Sequence, residues 1–288
     1  MAFLPLCQLK LQARNQKTYL QKINVMKTLW LAPSWAKVLF YFLVLWAATA
    51  VAGTVPMLND FLFFFLIALF MSWALLKLDE RTLSSIGFWP KDKKSVRDFF
   101  QGLGIGVVML LITFVLTLWL TKDNWSIRKH IDPIFIMVTF LVCLWSAFVQ
   151  EFVFRGYPFQ TLLRNYRPWV AQLLIAVPFG LMHISAGMQT KEVVMVMLST
   201  GMGSILFGLA FLKSRNLMFP IGIHLGWNYA QELIPRTAGA KNNALVIIQE
   251  SNTDYNMFNI SLPYFFVVIS ATILIWKFKQ ASIKDPAS

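Results

Sequence analysis

The sequence has few charged residues, which argues against a soluble domain, and few cysteines, which argues against a disulfide framework or a cysteine zinc site. Only 14% of the 288 residues are charged, whereas a soluble domain carries about a quarter. The two cysteines, Cys7 and Cys143, show neither a disulfide framework nor the spacing of a cysteine zinc site. Cys143 lies inside an apolar run, and we predict that it is a packing residue.

Long apolar runs take the place of the missing charge. Hydrophobic residues make up 57% of the chain, in continuous blocks of the length that crosses a bilayer as a helix. Continuity also disfavours a β-barrel, whose strands alternate. We therefore predict an all-α, polytopic membrane protein with about eight transmembrane helices. The predicted spans are 36–58, 60–77, 98–121, 133–156, 168–185, 192–212, 218–234 and 259–278, of which the fifth and seventh are short and interrupted by polar residues.

The net charge of +13 comes from basic residues that flank the apolar blocks. With the N-terminus inside, twenty of the 26 lysines and arginines fall on the inner side, which favours cytoplasmic N- and C-termini. The expected contacts of these residues are membrane lipids, not nucleic acid. The short N-terminus and compact loops favour a bacterial plasma membrane.

Four regions follow from this pattern. Residues 1–35 form a basic cytoplasmic segment, 36–129 hold the first helices and a cytoplasmic linker, 130–235 form the core, and 236–288 hold an outer loop, the last helix and a cytoplasmic tail. Paired glycines, Gly102 with Gly106 and Gly222 with Gly226, are typical of close helix contacts. No internal repeat supports the alternative of a transporter with a proton path.

Three polar motifs interrupt the apolar core. They are Gln150–Arg155, Phe179–His183 and His224–Asn228. Ionisable groups at membrane depth are costly and indicate function. Glu151 and Arg155 are four residues apart, so they share a helix face, although a purely structural ion pair explains them equally well. His183 alone is more typical of a hydrogen-bonded packing residue.

Together these residue types are suited to hydrolysis without a covalent intermediate. A carboxylate can take a proton from water, an imidazole can position that water, and histidine with asparagine can stabilise an oxyanion. Other protease chemistries lack their motifs: there is no His-Glu-x-x-His zinc sequence, and Ser204 follows Gly203 outside a nucleophile-elbow sequence.

The three motifs resemble those of the CPBP (Abi) family of intramembrane proteases, which includes the CAAX prenyl endopeptidases. The family pattern is Glu-Glu-x-x-x-Arg, then Phe-x-x-x-His, then His-x-x-x-Asn. The resemblance covers about residues 130–235, and it is strengthened by the run Phe154–Tyr157 and by Ser214–Asn216 ahead of Pro220. It implies an intramembrane peptidase but not a particular substrate.

The resemblance also implies roles for individual residues. Glu151 and Arg155 match the second glutamate and the arginine of the first motif. His183 would hold the catalytic water together with the first glutamate, and His224 with Asn228 would form the oxyanion site.

The first glutamate, the general base of the family, falls on Gln150. A neutral amide cannot accept a proton, and losing a general base costs about 10²–10⁴ in rate. Three explanations stay open: an engineered inactive variant, a natural pseudoprotease that binds peptides without cutting them, or Glu151 as the base.

The expected function is therefore endopeptidase cleavage of a membrane-associated peptide or lipid-modified protein tail, in a chain that Gln150 inactivates. The alternative is a non-catalytic immunity or scaffold protein. No cofactor is expected; if zinc takes part, its ligands would be Glu151, His183 and His224. Nothing in the sequence indicates an oligomeric state.

One conflict concerns depth in the membrane. Counting along the spans puts Glu151 near the inner end of its helix and His183 near the outer end of the next. Either a helical extension through 157–166 or a break at Pro178 would bring them to one level.

Overall fold

The computed structural model describes residues 32–54, 61–238, 243–249 and 257–278. Predictions for Cys7, for the basic segment before residue 32 and for the tail after residue 278 lie outside these residues. The helices are α1 Ser34–Ala52, α2 Phe61–Leu78, α3 Lys93–Thr121, α4 Pro133–Arg155, α5 Tyr157–Leu163, α6 Pro168–Leu181, α7 Thr190–Ser214, α8 Met218–Leu233 and α9 Met257–Phe278. A 3₁₀ turn spans Leu83–Ile86.

The prediction of an all-α polytopic membrane protein is confirmed. Within the described ranges, six helices are long and apolar enough to cross a bilayer, with α4 and α5 counted as one run, Pro133–Leu163. The fifth and seventh predicted spans correspond to α6 and α8, which have 14 and 16 residues. These two short helices carry the second and third motifs.

Helices α3 and α8 pack with their backbones in contact, as the paired glycines predict. A methyl group on Gly102 or Gly106 would collide with carbonyl oxygens of α8, and one on Gly222 or Gly226 would collide with carbonyl oxygens of α3. Small residues permit this close approach. The contact fixes α8, and with it His224, against the rest of the bundle.

A two-stranded antiparallel ribbon, which no sequence pattern predicted, lies at one end of the bundle. Strand β1, Asn124–Ile127, pairs with β2, Val246–Gln249, so that Trp125 lies opposite Ile248. Strand β2 lies in the segment that the sequence predicts to be an outer loop. The pairing holds the two loops at the same end, which agrees with an even number of membrane crossings between them.

The opposite end of the bundle carries an ion-pair network. Lys37 at the start of α1 lies 2.6 Å from Asp79, just after α2, and Arg164 after α5 lies 3.8 Å from the same carboxylate. Lys94 pairs with Asp98 at 2.9 Å in the first turns of α3. The contacts of Asp79 join the ends of α1, α2 and α5, whereas the pair in α3 is local.

Helix α4 changes its surroundings along its length. Its first turns expose apolar side chains such as Ile134 and Met137, whereas every residue from Val149 to Arg155 is buried. A short second helix, α5, follows Gly156, whose ψ of −114° interrupts the helical backbone. The first motif therefore lies inside the protein rather than against lipid.

Candidate active site

The carboxylate of Glu151 is shared between an arginine and a histidine. Oε1 of Glu151 lies 2.9 Å from Nδ1 of His224, and Oε2 lies 3.4 Å from Nε of Arg155. All three side chains are buried. The ion pair between Glu151 and Arg155 that the spacing predicts is therefore present. The same carboxylate also orients His224.

Arg155 has further partners that hold it in place. Its Nη2 atom donates to the carbonyl oxygen of Ser204 at 2.8 Å and to the hydroxyl of Ser204 at 2.7 Å. Its guanidinium lies 4.6 Å from the ring centre of Phe179 and 5.4 Å from that of Phe207. Charge-assisted bonds and aromatic faces together compensate a buried cation. Ser204 thus anchors Arg155 from α7.

His224 is fixed in both position and tautomer. Its ring stacks on Phe207 at 4.6 Å with an angle of 14° between the planes. Because an ionised carboxylate only accepts hydrogen bonds, Nδ1 of His224 donates to Glu151. Nε2 is the ring nitrogen left for other partners.

His183 is brought into the bundle by the shortness of α6. The helix rises only about 21 Å over its 14 residues, and His183 follows its end by two residues. Nδ1 of His183 lies 2.7 Å from the carbonyl oxygen of Phe179, so this nitrogen carries the proton and Nε2 is the acceptor.

This geometry removes the conflict over depth. The predicted extension through 157–166 is present as a separate helix, α5, over Tyr157–Leu163. The alternative of a break at Pro178 is wrong, because α6 runs through Pro178 to Leu181. A chain of contacts links His183 to Glu151. The ring of His183 contacts that of Phe179, the ring centre of Phe179 lies 6.3 Å from that of His224, and His224 bonds to Glu151.

A cavity of about 320 Å³ brings three of the predicted residues together. His183, His224 and Asn228 line it, along with Ser199, Thr200 and Arg236. Glu151 and Arg155 lie behind His224 rather than on the wall. The cavity therefore combines two oriented imidazoles and one amide, which are the groups needed to bind water and a polarised carbonyl.

Gln150 stands apart from this group. Its amide nitrogen donates to the hydroxyl of Ser146 at 3.1 Å within the same helix, and its Oε1 atom is buried without a partner among the described residues. It does not belong to the described residues that line the cavity. In this conformation its side chain makes a local contact in α4.

The residues offered as zinc ligands do not fit a metal site. Across the described ranges, no three His, Cys, Asp or Glu side chains come together as a ligand group. Glu151 and His224 are in contact, but one carboxylate oxygen already faces His224 and the other faces Arg155. His183 does not complete the set of Glu151, His183 and His224.

Sequence reasoning missed part of the cavity wall. Arg236, Tyr264 and Trp227 all line it, and the hydroxyl of Tyr264 donates to the carbonyl oxygen of Ser199 at 2.7 Å. Arg236 follows the third motif by eight residues and could have been noticed as a basic residue near it. Tyr264 carried no signal, since it comes from α9 outside every motif.

Comparison with known proteins agrees with these motifs. The chain matches the family model "Type II CAAX prenyl endopeptidase Rce1-like" over residues 132–230, a range that contains all three motifs. No curated protein matches the chain. The match and the membrane-spanning helices together identify residues 132–230 as an Rce1-like domain of the CPBP family, carried by an integral membrane protein.

Proposed function

We propose that this chain carries the site of an intramembrane endopeptidase, built to cleave a membrane-associated peptide or lipid-modified protein tail with an activated water molecule, and that Gln150 inactivates it. The observation that carries the proposal is the 2.9 Å contact between Glu151 and His224 at the wall of a cavity that His183 and Asn228 also line. A carboxylate-oriented histidine beside other polar groups is typical of hydrolytic sites.

His183 is the proposed water-binding residue. Its Nδ1 atom is occupied by the carbonyl oxygen of Phe179, which leaves the lone pair of Nε2 available to accept a hydrogen bond from water. A water held in this way is oriented for attack on a peptide carbonyl.

His224 and Asn228 are the proposed oxyanion residues. They lie four residues apart on α8, so they share a helix face. Glu151 holds Nδ1 of His224, so a proton donated by this ring to the developing negative charge would come from Nε2. Glu151 and Arg155 act as positioning residues, because neither lies on the cavity wall.

Gln150 disables the proposed mechanism. An amide cannot take the proton that the attacking water must lose, whereas a carboxylate at the same position can. To act as the base, that side chain would leave Ser146 and turn toward the cavity. The same neutral residue favours the second candidate, a non-catalytic scaffold or immunity protein that binds a peptide partner in this cavity.

The deciding experiment compares hydrolysis by the chain as it stands and by Gln150→Glu in detergent micelles. Quenched fluorescent peptides, with and without prenyl groups, serve as substrates, and Gln150→Glu combined with His183→Ala is the control. We expect cleavage by Gln150→Glu alone. Equal cleavage by the unaltered chain would make Glu151 the base, and no cleavage by any form would favour the scaffold.

We propose further that hydrolysis needs no metal. Oε1 of Glu151 is bonded to His224 and Oε2 lies 3.4 Å from the guanidinium of Arg155, whose positive charge opposes the binding of a metal cation at this carboxylate. We expect the rate of Gln150→Glu to be unchanged by a chelator. A loss of activity that zinc restores would overturn this part of the proposal.

For the setting, we propose a bacterial plasma membrane with both chain termini in the cytoplasm and lipids around the helices. The basic residues Lys37, Lys94 and Arg164 at one end of the bundle support this orientation. Labelling single cysteines placed at Lys93 and at Trp125 with an impermeant reagent in intact cells tests it. Only the second should react.

A further inference from the structure

Arg236 is a cation in the cavity that the proposed mechanism does not use. It lies three residues beyond the end of α8, and its guanidinium lines the same cavity as His183, His224 and Asn228. Among the described residues, no carboxylate or other hydrogen-bond acceptor pairs with it. Arginine presents five N–H donors, so a guanidinium in this state favours an acceptor from outside the protein.

Two aromatic rings hold the guanidinium in place. Its central carbon lies 5.7 Å from the ring centre of Trp227 and 5.9 Å from that of Tyr264. The two rings meet edge to face at 5.3 Å, and Tyr264 is fixed by its bond to Ser199. Ring faces attract a cation but offer its N–H groups no strong acceptor, so the arginine is positioned while its donors remain available.

The charge of the cavity wall points the same way. Two histidines and Arg236 line the cavity, and none of the described lining residues is acidic. The nearest carboxylate of the site, Glu151, lies behind His224 and is engaged there. A cation in a partly enclosed, apolar setting attracts an anion more strongly than one in water does.

The arginine and the proposed oxyanion residues come from the same segment. The side chain of Arg236 folds back over Trp227, the neighbour of Asn228 in sequence. An anion bound at Arg236 would therefore lie along the same wall as the peptide bond to be cleaved. It would belong to the substrate itself rather than to a distant effector.

We propose that Arg236 binds a carboxylate of the substrate and so selects peptides that carry one near the bond to be cleaved. The proposal rests on the proposed function, since both use this cavity as a peptide site. A C-terminal carboxylate and an Asp or Glu side chain offer the same chemistry. Arg236 is a specificity-determining residue and takes no part in the proton transfers.

The test measures binding, which the Gln150 chain can perform without cutting. The purified full chain is immobilised in detergent and incubated with three pools of acylated pentapeptides that share the same randomised sequences. One pool has free C-terminal carboxylates, one has C-terminal amides, and one has C-terminal amides with a glutamate in the sequence. Mass spectrometry gives the amount of each pool retained.

We expect the carboxylate pool to be retained about tenfold more than the amide pool. Arg236→Gln should bring this ratio close to one, and Arg236→Lys should keep an intermediate ratio because it preserves the charge but not the paired donors. Retention of the glutamate pool at the level of the carboxylate pool would identify a side-chain carboxylate as sufficient. If it stays at the level of the amide pool, the C-terminus is required.

The matched control is Arg128→Gln. Arg128 lies next to the β1–β2 ribbon, where its Nε atom donates to the carbonyl oxygen of Ala244 at 2.9 Å, and it does not line the cavity. Its replacement should leave the ratio unchanged. Equal retention of all three pools by the unaltered chain, including no retention of any, overturns the proposal.

The outcome is separable from that of the proposed function. Selective retention of carboxylates by a chain whose Gln150→Glu form cuts nothing would support Arg236 as an anion-binding residue and reject the protease. Cleavage by Gln150→Glu that is equally fast for carboxylate and amide peptides would keep the protease and reject the role of Arg236.

Discussion

The polar residues of the core form two groups with opposite states of pairing. Glu151, Arg155 and His224 are buried and bonded to one another, and Arg155 is also held by Ser204. On the cavity wall, His183 and Arg236 keep donor or acceptor groups without described partners. The paired group gives rigidity, and the unpaired group is suited to bind something else. Both groups contain motif residues, so motif membership alone does not separate support from chemistry.

The largest loss of stability in the paired group is expected for Glu151→Ala. The change leaves Arg155 buried without its counter-charge and His224 without its acceptor, and removing one partner of a buried pair costs about 3–5 kcal/mol. We expect loss of the folded protein, measured as the midpoint of thermal unfolding in detergent. The control is Glu192→Ala in the exposed first turn of α7, which should cost about 1 kcal/mol as a cap. Equal decreases in the unfolding midpoint of the two variants would show that the buried pair of Glu151 contributes no more to stability than a surface cap does.

The opposite pattern is expected for His183→Ala in the Gln150→Glu background. Among the described residues, the side chain of His183 makes one hydrogen bond, to a backbone carbonyl, so its loss should cost only about 1 kcal/mol of stability. The rate of peptide hydrolysis should nevertheless fall by about 10²–10⁴. Unfolding and hydrolysis measured on the same preparation check this. A large loss of stability with unchanged hydrolysis of the folded fraction would assign His183 to the supporting group.

A smaller effect is expected where α8 is fixed against α3. Gly106→Ala puts a methyl group against backbone atoms of Ile223 and Trp227, and overpacking of this kind costs about 1–3 kcal/mol. The matched control is Gly104→Ala on the same helix, where a methyl group meets nothing within 4 Å. It should be neutral or slightly stabilising, since alanine is the better helix former. Thermal unfolding of the two variants side by side tests the difference.

The smallest predicted effect comes from Ser204→Ala. Arg155 loses its bond to the hydroxyl but keeps the one to the carbonyl of residue 204, so the cost should be about 1.5 kcal/mol, as for one bond to a charged group. The control is Ser199→Ala, whose hydroxyl bonds only to the carbonyl of Val196 and whose loss should cost less. A cost for Ser204→Ala no larger than for Ser199→Ala would show that the hydroxyl adds nothing.

The sequence predicted the parts of the fold that depend on local composition. Continuous apolar runs located the helices, and the spacing of Gly102 with Gly106 and of Gly222 with Gly226 predicted the close contact that α3 and α8 make. The β1–β2 ribbon was not predictable, because its strands are four residues each and are separated by more than a hundred positions. Such pairing depends on how the loops meet in space.

The arrangement of the candidate site was not predictable from the spacing of its residues. Spacing put Glu151 with Arg155 and His224 with Asn228, yet it could not tell that Glu151 faces His224 while Gln150 bonds to Ser146. A rotation of about 100° per residue separates those two directions, and the packing of α4 against α8 sets it. Arg236 and Tyr264 meet only because α9 packs against α3 and α7, which no local pattern records.

The shortness of α6 has a consequence for the surrounding bilayer. The helix rises about 21 Å, whereas the hydrocarbon core of a membrane is about 30 Å thick. Its outer face is apolar, with Trp169, Leu173 and Val177 exposed. The bilayer must therefore become thinner beside this helix to match its length. Hydrophobic mismatch is thereby concentrated next to His183. We expect the rate of Gln150→Glu in vesicles to depend on acyl-chain length, with shorter chains favouring the arrangement around α6.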